Sequence, residues 1–223
     1  MGVEVEFLKS TQYFSRLNAD ELDSITGLFF EKRFGRGEII VIEGESAEAL
    51  YFVYSGAVKT FRTSLDGREQ VLSILRQGES FNDVAVFDSG ANLATARSMG
   101  PSVVFGLSKN DLLAFLEKHP RMALSVLQVL SAQMRYFVLL IDDLSFKPVV
   151  SRVAKILIEH AGDGASPGER ITQQDMAAIA GTVREVIGRS LKALERDGVI
   201  KFDRHRIVIT NKEALRNIAG IPS

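Results

Sequence analysis

From Arg121 to Leu144 the chain reads RMALSVLQVLSAQMRYFVLLIDDL, without one Gly or Pro. With neither breaker present, such a run propagates as a single helix. It is apolar on two sides. One row steps by fours and threes through Val126, Leu130, Phe137, Leu140 and Leu144, with Gln133 as its polar member. A second row runs through Ala123, Leu127, Met134, Val138 and Ile141. A helix with two apolar rows has to bury both. One row packs on the chain's own body. The other, with heptad-like spacing, suits the parallel helix of a second copy. The dimer interface is therefore expected at Val126, Leu130, Gln133, Phe137, Leu140 and Leu144. The alternative is a helix buried on both sides within one subunit.

What flanks this helix differs on its two sides. In LNADELDSI, Asn18 followed by Glu21 is a capping box that opens a short helix. From about residue 34 to 108, short runs rich in Val, Ile, Phe and Tyr alternate with Gly37, Gly44, Gly56, Gly67 and Gly78. Asp66-Gly67 between two such runs is a hairpin signal. Short strands with regular turns indicate an all-β barrel, roll or sandwich. At 46% hydrophobic, 223 residues suffice for a core shared between two domains. These are expected at 1–145, including the long helix from about 120, and at 146–223, where Lys147-Pro148 breaks the helix.

Several function classes are excluded at this stage. The absence of Cys rules out a disulfide scaffold, a thiolate nucleophile and a cysteine-ligated iron–sulfur cluster. No Ser/His/Asp arrangement, metal-spaced cluster or P-loop motif is present, so no catalytic and no metal site is expected, and the chain does not read as an enzyme. The first residues lack the pattern of a signal peptide. The apolar run FVLLI at 137–141 falls short of the roughly 20 residues a bilayer span needs, so a cytoplasmic protein with no membrane partner is expected. The net charge of −1 conceals an asymmetry: from Lys147 onward there are 13 Lys/Arg against 9 Asp/Glu, and before it 14 against 19. A basic second half suits a polyanion.

Within that half, VVSRVAKILIEHA is an amphipathic helix and GDGASPGER (162–170) a polar loop. Thr172 with Asp175 opens a short helix. Gly181 turns the chain, and Thr182 with Glu185 is read as the capping box of a second helix. Val183, Ile187, Leu191 and Leu194 form its core face. Arg184, Glu185 and Arg189 fall on the opposite side, within an arc of about 140° at about 100° per residue. Ala177, Ala178 and Ala180 let two helices approach closely, so the pair is a helix-turn-helix, and KFDRHRIVIT supplies a two-stranded wing. Arg forks onto guanine and Glu accepts from cytosine, so Arg184, Glu185 and Arg189 are candidate base readers. Thr172, Gln173 and Thr182 at helix starts, and Lys201 in the wing, are candidate phosphate contacts.

These elements together resemble the CRP/FNR family, that of the cAMP receptor protein and the fumarate–nitrate reductase regulator, over nearly the whole chain. The resemblance implies an α+β fold with a cyclic-nucleotide-binding-like β-roll, a long dimerisation helix and a C-terminal winged helix-turn-helix. Arg184, Glu185 and Arg189 match the R-E-x-x-x-R pattern of the cAMP receptor protein, which implies double-stranded DNA with TGTGA-like inverted repeats as target. Contact of the 162–170 loop with RNA polymerase is implied by family position alone. The effector cassette departs from the pattern. In FNDVAVFDSGANLATA, Asn82 and Asp83 stand where Gly and Glu are expected, and Leu93 and Ala94 stand at the Arg-Ser positions that grip a cyclic phosphate. Arg97 cannot substitute, because four residues along a strand move a side chain by more than about 10 Å. Phe137 and Val138 replace the Thr-Ser pair on the long helix. The pocket is thus expected at Asn82, Asp83, Val84, Ala85, Leu93, Ala94, Met134, Phe137 and Val138, with cAMP disfavoured, no iron–sulfur cluster and the effector unidentified. A haem-based gas sensor stands as one alternative. A ligand-binding signalling subunit whose second domain binds protein stands as another.

Overall fold

The computed structural model describes residues 3–160, 171–203 and 206–221. They form two compact units, Met1–Arg62 with Leu72–Tyr136, and Thr63–Val71 with Phe137–Ser223. In the long helix the two units adjoin between Tyr136 and Phe137.

The first unit opens with α1 (Val5–Ser10) and α2 (Ala19–Thr26). The capping box at α2 forms as expected: Asn18 accepts from the Glu21 backbone while the Glu21 carboxylate takes the Asn18 N–H. Eight strands follow: β1 (Phe29–Phe34), β2 (Ile39–Val41), β3 (Ala49–Ser55), β4 (Val58–Thr63), β5 (Glu69–Leu75), β6 (Ser80–Phe81), β7 (Thr95–Ser98) and β8 (Ser102–Ser108). A short helix, α3 (Asp83–Asp88), interrupts them. They make two four-stranded sheets, ordered β1-β8-β3-β6 and β2-β7-β4-β5. β3 (ALYFVYS) is buried along most of its length because β8 and β6 flank it and hydrophobic layers cover both faces. The inner layer holds Val41, Tyr51, Val53, Val58, Phe81 and Val104. The outer layer joins Leu50, Phe52, Phe105 and Leu107 to Phe7, Leu8, Tyr13, Phe14, Leu22 and Ile25 of the N-terminal helical segment.

The glycine punctuation has a conformational cause. Gly37, Gly44, Gly56, Gly67 and Gly78 all sit at φ between 80° and 86°. Gly56 also lacks space for a side chain, since a Cβ there would lie 2.5 Å from the Pro101 carbonyl oxygen and 2.9 Å from Ser102 Cα. The Asp66-Gly67 hairpin joins β4 to β5, with the Gly67 N–H donating to the Ser64 carbonyl at 2.9 Å.

Helix α4 (Lys109–Lys118) is capped by Ser108, and α5 (Met122–Phe146) is the long helix. Which row of α5 faces inward differs from the expectation. Val126 is buried in the outer layer with Met122 and Val129, and Leu130 packs against it. Gln133, Leu140 and Leu144 are half-buried, and Phe137 is 37% exposed. The exposed apolar row is the second one: Leu127, Met134, Val138 and Ile141 are each at least 59% exposed. The two rows are equally apolar in sequence, and the side chains of α1, α2 and the sheet select the one they pack on. By length and composition alone α5 is also apolar enough to cross a bilayer. The cause is the sum of both rows, which FVLLI alone does not show.

In the second unit, α6 (Val149–His160) starts after Pro148, whose carbonyl accepts the first helical N–H bonds. Then come α7 (Gln173–Ala180), α8 (Arg184–Arg196), the antiparallel pair β9 (Ile200–Asp203) and β10 (Arg206–Ile209), and α9 (Lys212–Ala219). Their core is Val153, Ile156, Leu157, Met176, Ile187, Leu191, Leu194, Ile200 and Leu215. A charged node lies where α5 ends. Asp143, 7% exposed, accepts from Lys147 Nζ at 2.8 Å and from Lys155 Nζ at 2.5 Å. Arg152 Nη1 donates to the carbonyls of Asp143, Leu144 and Lys147, at 3.2, 3.3 and 2.7 Å, and so caps the C-terminal turn of α5.

Candidate nucleic-acid interface and effector pocket

Helices α7 and α8 meet through Gly181, which adopts φ 61° and ψ 45° and donates to the Ala177 carbonyl. Buried Ala177 and Ala180 let α8 pack close. The two faces of α8 separate cleanly. Ile187, Leu191 and Leu194 are fully buried, while Arg184, Glu185 and Arg189 are all exposed. Lys192 and Arg196 join them on the exposed side. Among the described residues neither Arg184 nor Arg189 forms an ion pair, so both guanidinium forks are available. Gly188 stands between them, and a Cβ there would meet nothing within 4 Å. The surface presented is a donor-rich strip with one carboxylate, which can hydrogen-bond to base edges in a major groove.

The helix start differs from expectation. The N-cap of α8 is Val183, not Thr182, and no side chain caps it. The turn at Gly181 carries the Thr182 N–H to the Ala177 carbonyl at 3.0 Å, which delays the helix by one residue. Val183 is 42% exposed and so drops out of the core face. No side chain caps the first turn of α8, and its Val186 N–H donates to the Val183 carbonyl at 3.0 Å. Thr172 is different: its hydroxyl is committed to the α7 capping box, donating to Asp175 Oδ2 at 2.7 Å and accepting from the Asp175 N–H at 3.1 Å. With a carboxylate beside it, Thr172 serves its own helix better than a phosphate. Gln173 is half-buried, and Lys201 is exposed on β9. The wing tip and the 162–170 loop lie outside the described residues.

The cassette in the first unit is arranged more inwardly than the sequence suggests. Asn82 adopts the left-handed conformation, φ 73°, and its amide donates to the Ala49 carbonyl at 3.0 Å. Asp83 is 4% exposed, and its Oδ1 accepts from the hydroxyls of Tyr13 and Ser80, the latter at 2.8 Å. Burial, and then the negative charge of Asp83, push the Tyr13 phenol well above the ordinary tyrosine range, so it remains a donor. Ala85 is buried in the roll, whereas Val84 and Leu93 are 36% and 54% exposed, and Ala94 is half-buried. Asn82 and Asp83 are thus engaged within the fold, and Ala85 is buried beside them in α3. The signal for this was Tyr13, whose partner lies 70 positions away and which no local pattern marks.

A haem ligand is not evident in this donor set. His119 stacks on Phe115, with ring centroids 4.2 Å apart, and its Nδ1 lies 3.2 Å from Glu21 Oε1. His160 ends α6 beside Glu159, and Met134 is 70% exposed. No group of three or more His, Cys, Asp or Glu able to hold a metal occurs among the described residues.

Comparison with known proteins gives two family matches. Residues 31–119 match the cyclic nucleotide-binding domain, and residues 151–218 match the Crp-like helix-turn-helix domain. A curated relative, the cyclic AMP receptor protein of Thermus thermophilus, is 32% identical over 212 residues, which is 95% of this chain and 98% of that protein. Among solved structures, FixK2 from Bradyrhizobium japonicum superposes with TM-score 0.75 at 25% identity, covering 87% of this chain and 99% of that one. The Thermus thermophilus catabolite activator protein superposes with TM-score 0.56 at 31% identity, covering 94% and 99%.

Proposed function

The chain belongs to the CRP/FNR family of DNA-binding transcription regulators, which are not enzymes, and from that premise we propose that it works as a cytoplasmic homodimer that reads TGTGA-like inverted repeats and contacts RNA polymerase. The Crp-like helix-turn-helix replaces the alternative of a signalling subunit whose second domain binds protein. One observation carries the proposal. Arg184, Glu185 and Arg189 are exposed together on the face of α8 opposite its buried Ile187, Leu191 and Leu194. Arg184 and Arg189 fork onto guanines, Glu185 accepts from a cytosine amine, and Thr182, Gln173 and Lys201 hold phosphates.

The exposed α5 row of Leu127, Met134, Val138 and Ile141 supports the homodimer. Its steps of seven, four and three keep one seam facing a parallel copy. An open cavity of 390 Å³ along the first unit's part of this face, lined by Leu124, Leu127, Ser131, Arg16 and Arg135, gives the partner helix a seat. Two copies present two α8 helices, which fit half-sites one helical turn apart.

The relative is named for cyclic AMP, but this reading does not carry cyclic AMP over to this chain. Leu93 and Ala94 offer no charge to a cyclic phosphate, and Asp83 and Asn82 are engaged within the fold. Haem is not supported by the described histidines.

Titrating the protein onto a TGTGA-N6-TCACA duplex and onto a scrambled one tests the reading. Arg184→Ala should weaken binding to the repeat by about 1–3 kcal/mol and relax preference at one base pair. Equal loss on both duplexes would reduce Arg184 to a phosphate contact and overturn the base-reading role.

A further inference from the structure

The regulation of this DNA binding, and so an inference that rests on the reading above, follows from three features of the first unit. The polar side chains that open α3 are consumed internally. Asp83 is held by Tyr13 and Ser80, and Asn82 by the Ala49 carbonyl. A nucleotide would have to break buried bonds to recruit either group, and leaving a buried acceptor unmade is costly.

The cassette also lacks a cation. From Phe81 to Ala96 there is no Lys or Arg. The next one, Arg97, lies with its guanidinium 4.5 Å from the centroid of the Phe61 ring, paired across the strands with Lys59. An anionic ligand at α3 would find no cationic side chain within the cassette, and a desolvated phosphate without a charged donor is strongly unfavourable.

Finally, α5 is joined to the roll by a side chain of its own. The Tyr136 hydroxyl donates to the Leu72 carbonyl at 3.0 Å. Leu72 lies on β5, the edge strand of its sheet, where backbone acceptors lack a strand partner. A small molecule can shift a conformational equilibrium only by binding its two states unequally. The Tyr136 bond gives the docked helix a stabilisation of its own.

We infer that the sensor unit is latched from within: Tyr136 docks α5 on the edge strand, Tyr13 and Ser80 fix α3, and the protein binds its DNA without a cyclic nucleotide. The residue that sets this state is Tyr136, a positioning residue that touches no DNA.

The test uses the full chain in two preparations, one as expressed and one unfolded in urea, dialysed and refolded to remove any carried ligand. Both are titrated onto the inverted-repeat duplex with and without millimolar cyclic AMP. All four affinities should agree. Tyr136→Phe should bind the duplex about threefold to tenfold more weakly, the effect of one hydrogen bond, and cyclic AMP should not restore it. Its amides over 69–75 should exchange faster while its helical circular dichroism is unchanged. A tenfold or greater gain with cyclic AMP, loss of binding on stripping, or a Tyr136→Phe variant equal to the wild type in affinity and exchange would overturn the latch. Specific binding that appears only with ligand leaves the DNA reading intact and removes the latch alone. Absence of specific binding under every condition overturns the DNA reading itself, while amide exchange still decides whether Tyr136 docks α5.

Discussion

Replacing Asp143 by Asn should destabilise the second unit by about 2 kcal/mol at neutral pH. The figure follows from the node at the end of α5. Hydrogen bonds to charged groups contribute about 1.5–3 kcal/mol each, and exposed pairs about 0–1 kcal/mol. Asp143 is 7% exposed, but the side chains of Lys147 and Lys155 are both 29% exposed, so each bond falls between these limits. Asn keeps an acceptor and loses the charge. Burial pushes the Asp143 carboxyl up, but the hydrogen bonds and charges of Lys147 and Lys155 outweigh it and hold it below the ordinary range. A depressed carboxyl stabilises the fold above its unfolded pKa of about 3.9, and that stability is lost as pH falls through the folded value. The gap between wild type and Asp143→Asn should therefore be full at pH 7 and should close on acidification below about pH 4. Urea unfolding of both proteins at several pH values, followed by circular dichroism, measures it. Equal stability at pH 7, or a gap that widens as the solution is acidified, would refute the reasoning.

Two other substitutions test the reading unit. Gly181→Ala forces a side chain into the left-handed region, with its Cβ 2.8 Å from Leu144 Cδ2, and should cost about 1–2 kcal/mol in the same unfolding assay. Lys201→Ala should weaken binding uniformly across duplexes and lower the slope of log affinity against log salt by about 1, as read from titrations at several salt concentrations.

Much of this architecture is legible because its signals are local. The strand turns need a left-handed residue, and Gly37, Gly44, Gly56, Gly67 and Gly78 announce them in the sequence. The capping boxes at Asn18 and Thr172 and the apolar face of α8 likewise need only neighbours in the chain. What escapes is decided by distant partners. Nothing near Val126 or Leu127 tells which faces the roll, since Phe14, Leu22 and their neighbours make that choice. Asp83 shows no partner in the sequence until the fold brings Tyr13 to it. Short α1, α3 and α9 were not anticipated, because six to eight residues carry too little periodicity to stand out from a loop. Thr182 misleads for a geometric reason: the box pattern was present, but the Gly181 turn spends its N–H on Ala177 and shifts the helix start to Val183.

That shift has a consequence for how the protein is shaped by selection. Asn18, Ser108, Thr172 and Asn211 each cap a helix with a side chain, and α8 alone among the helices of eight or more residues with a described cap begins on a residue that cannot. A side-chain cap stabilises a helix by about 1 kcal/mol, so the free protein is less stable than its own sequence habits would make it. Under the proposed reading, a DNA phosphate takes the place of the missing side-chain cap at the start of α8. Mutations favoured for the durability of the free protein and mutations favoured for tight binding therefore pull position 183 in opposite directions.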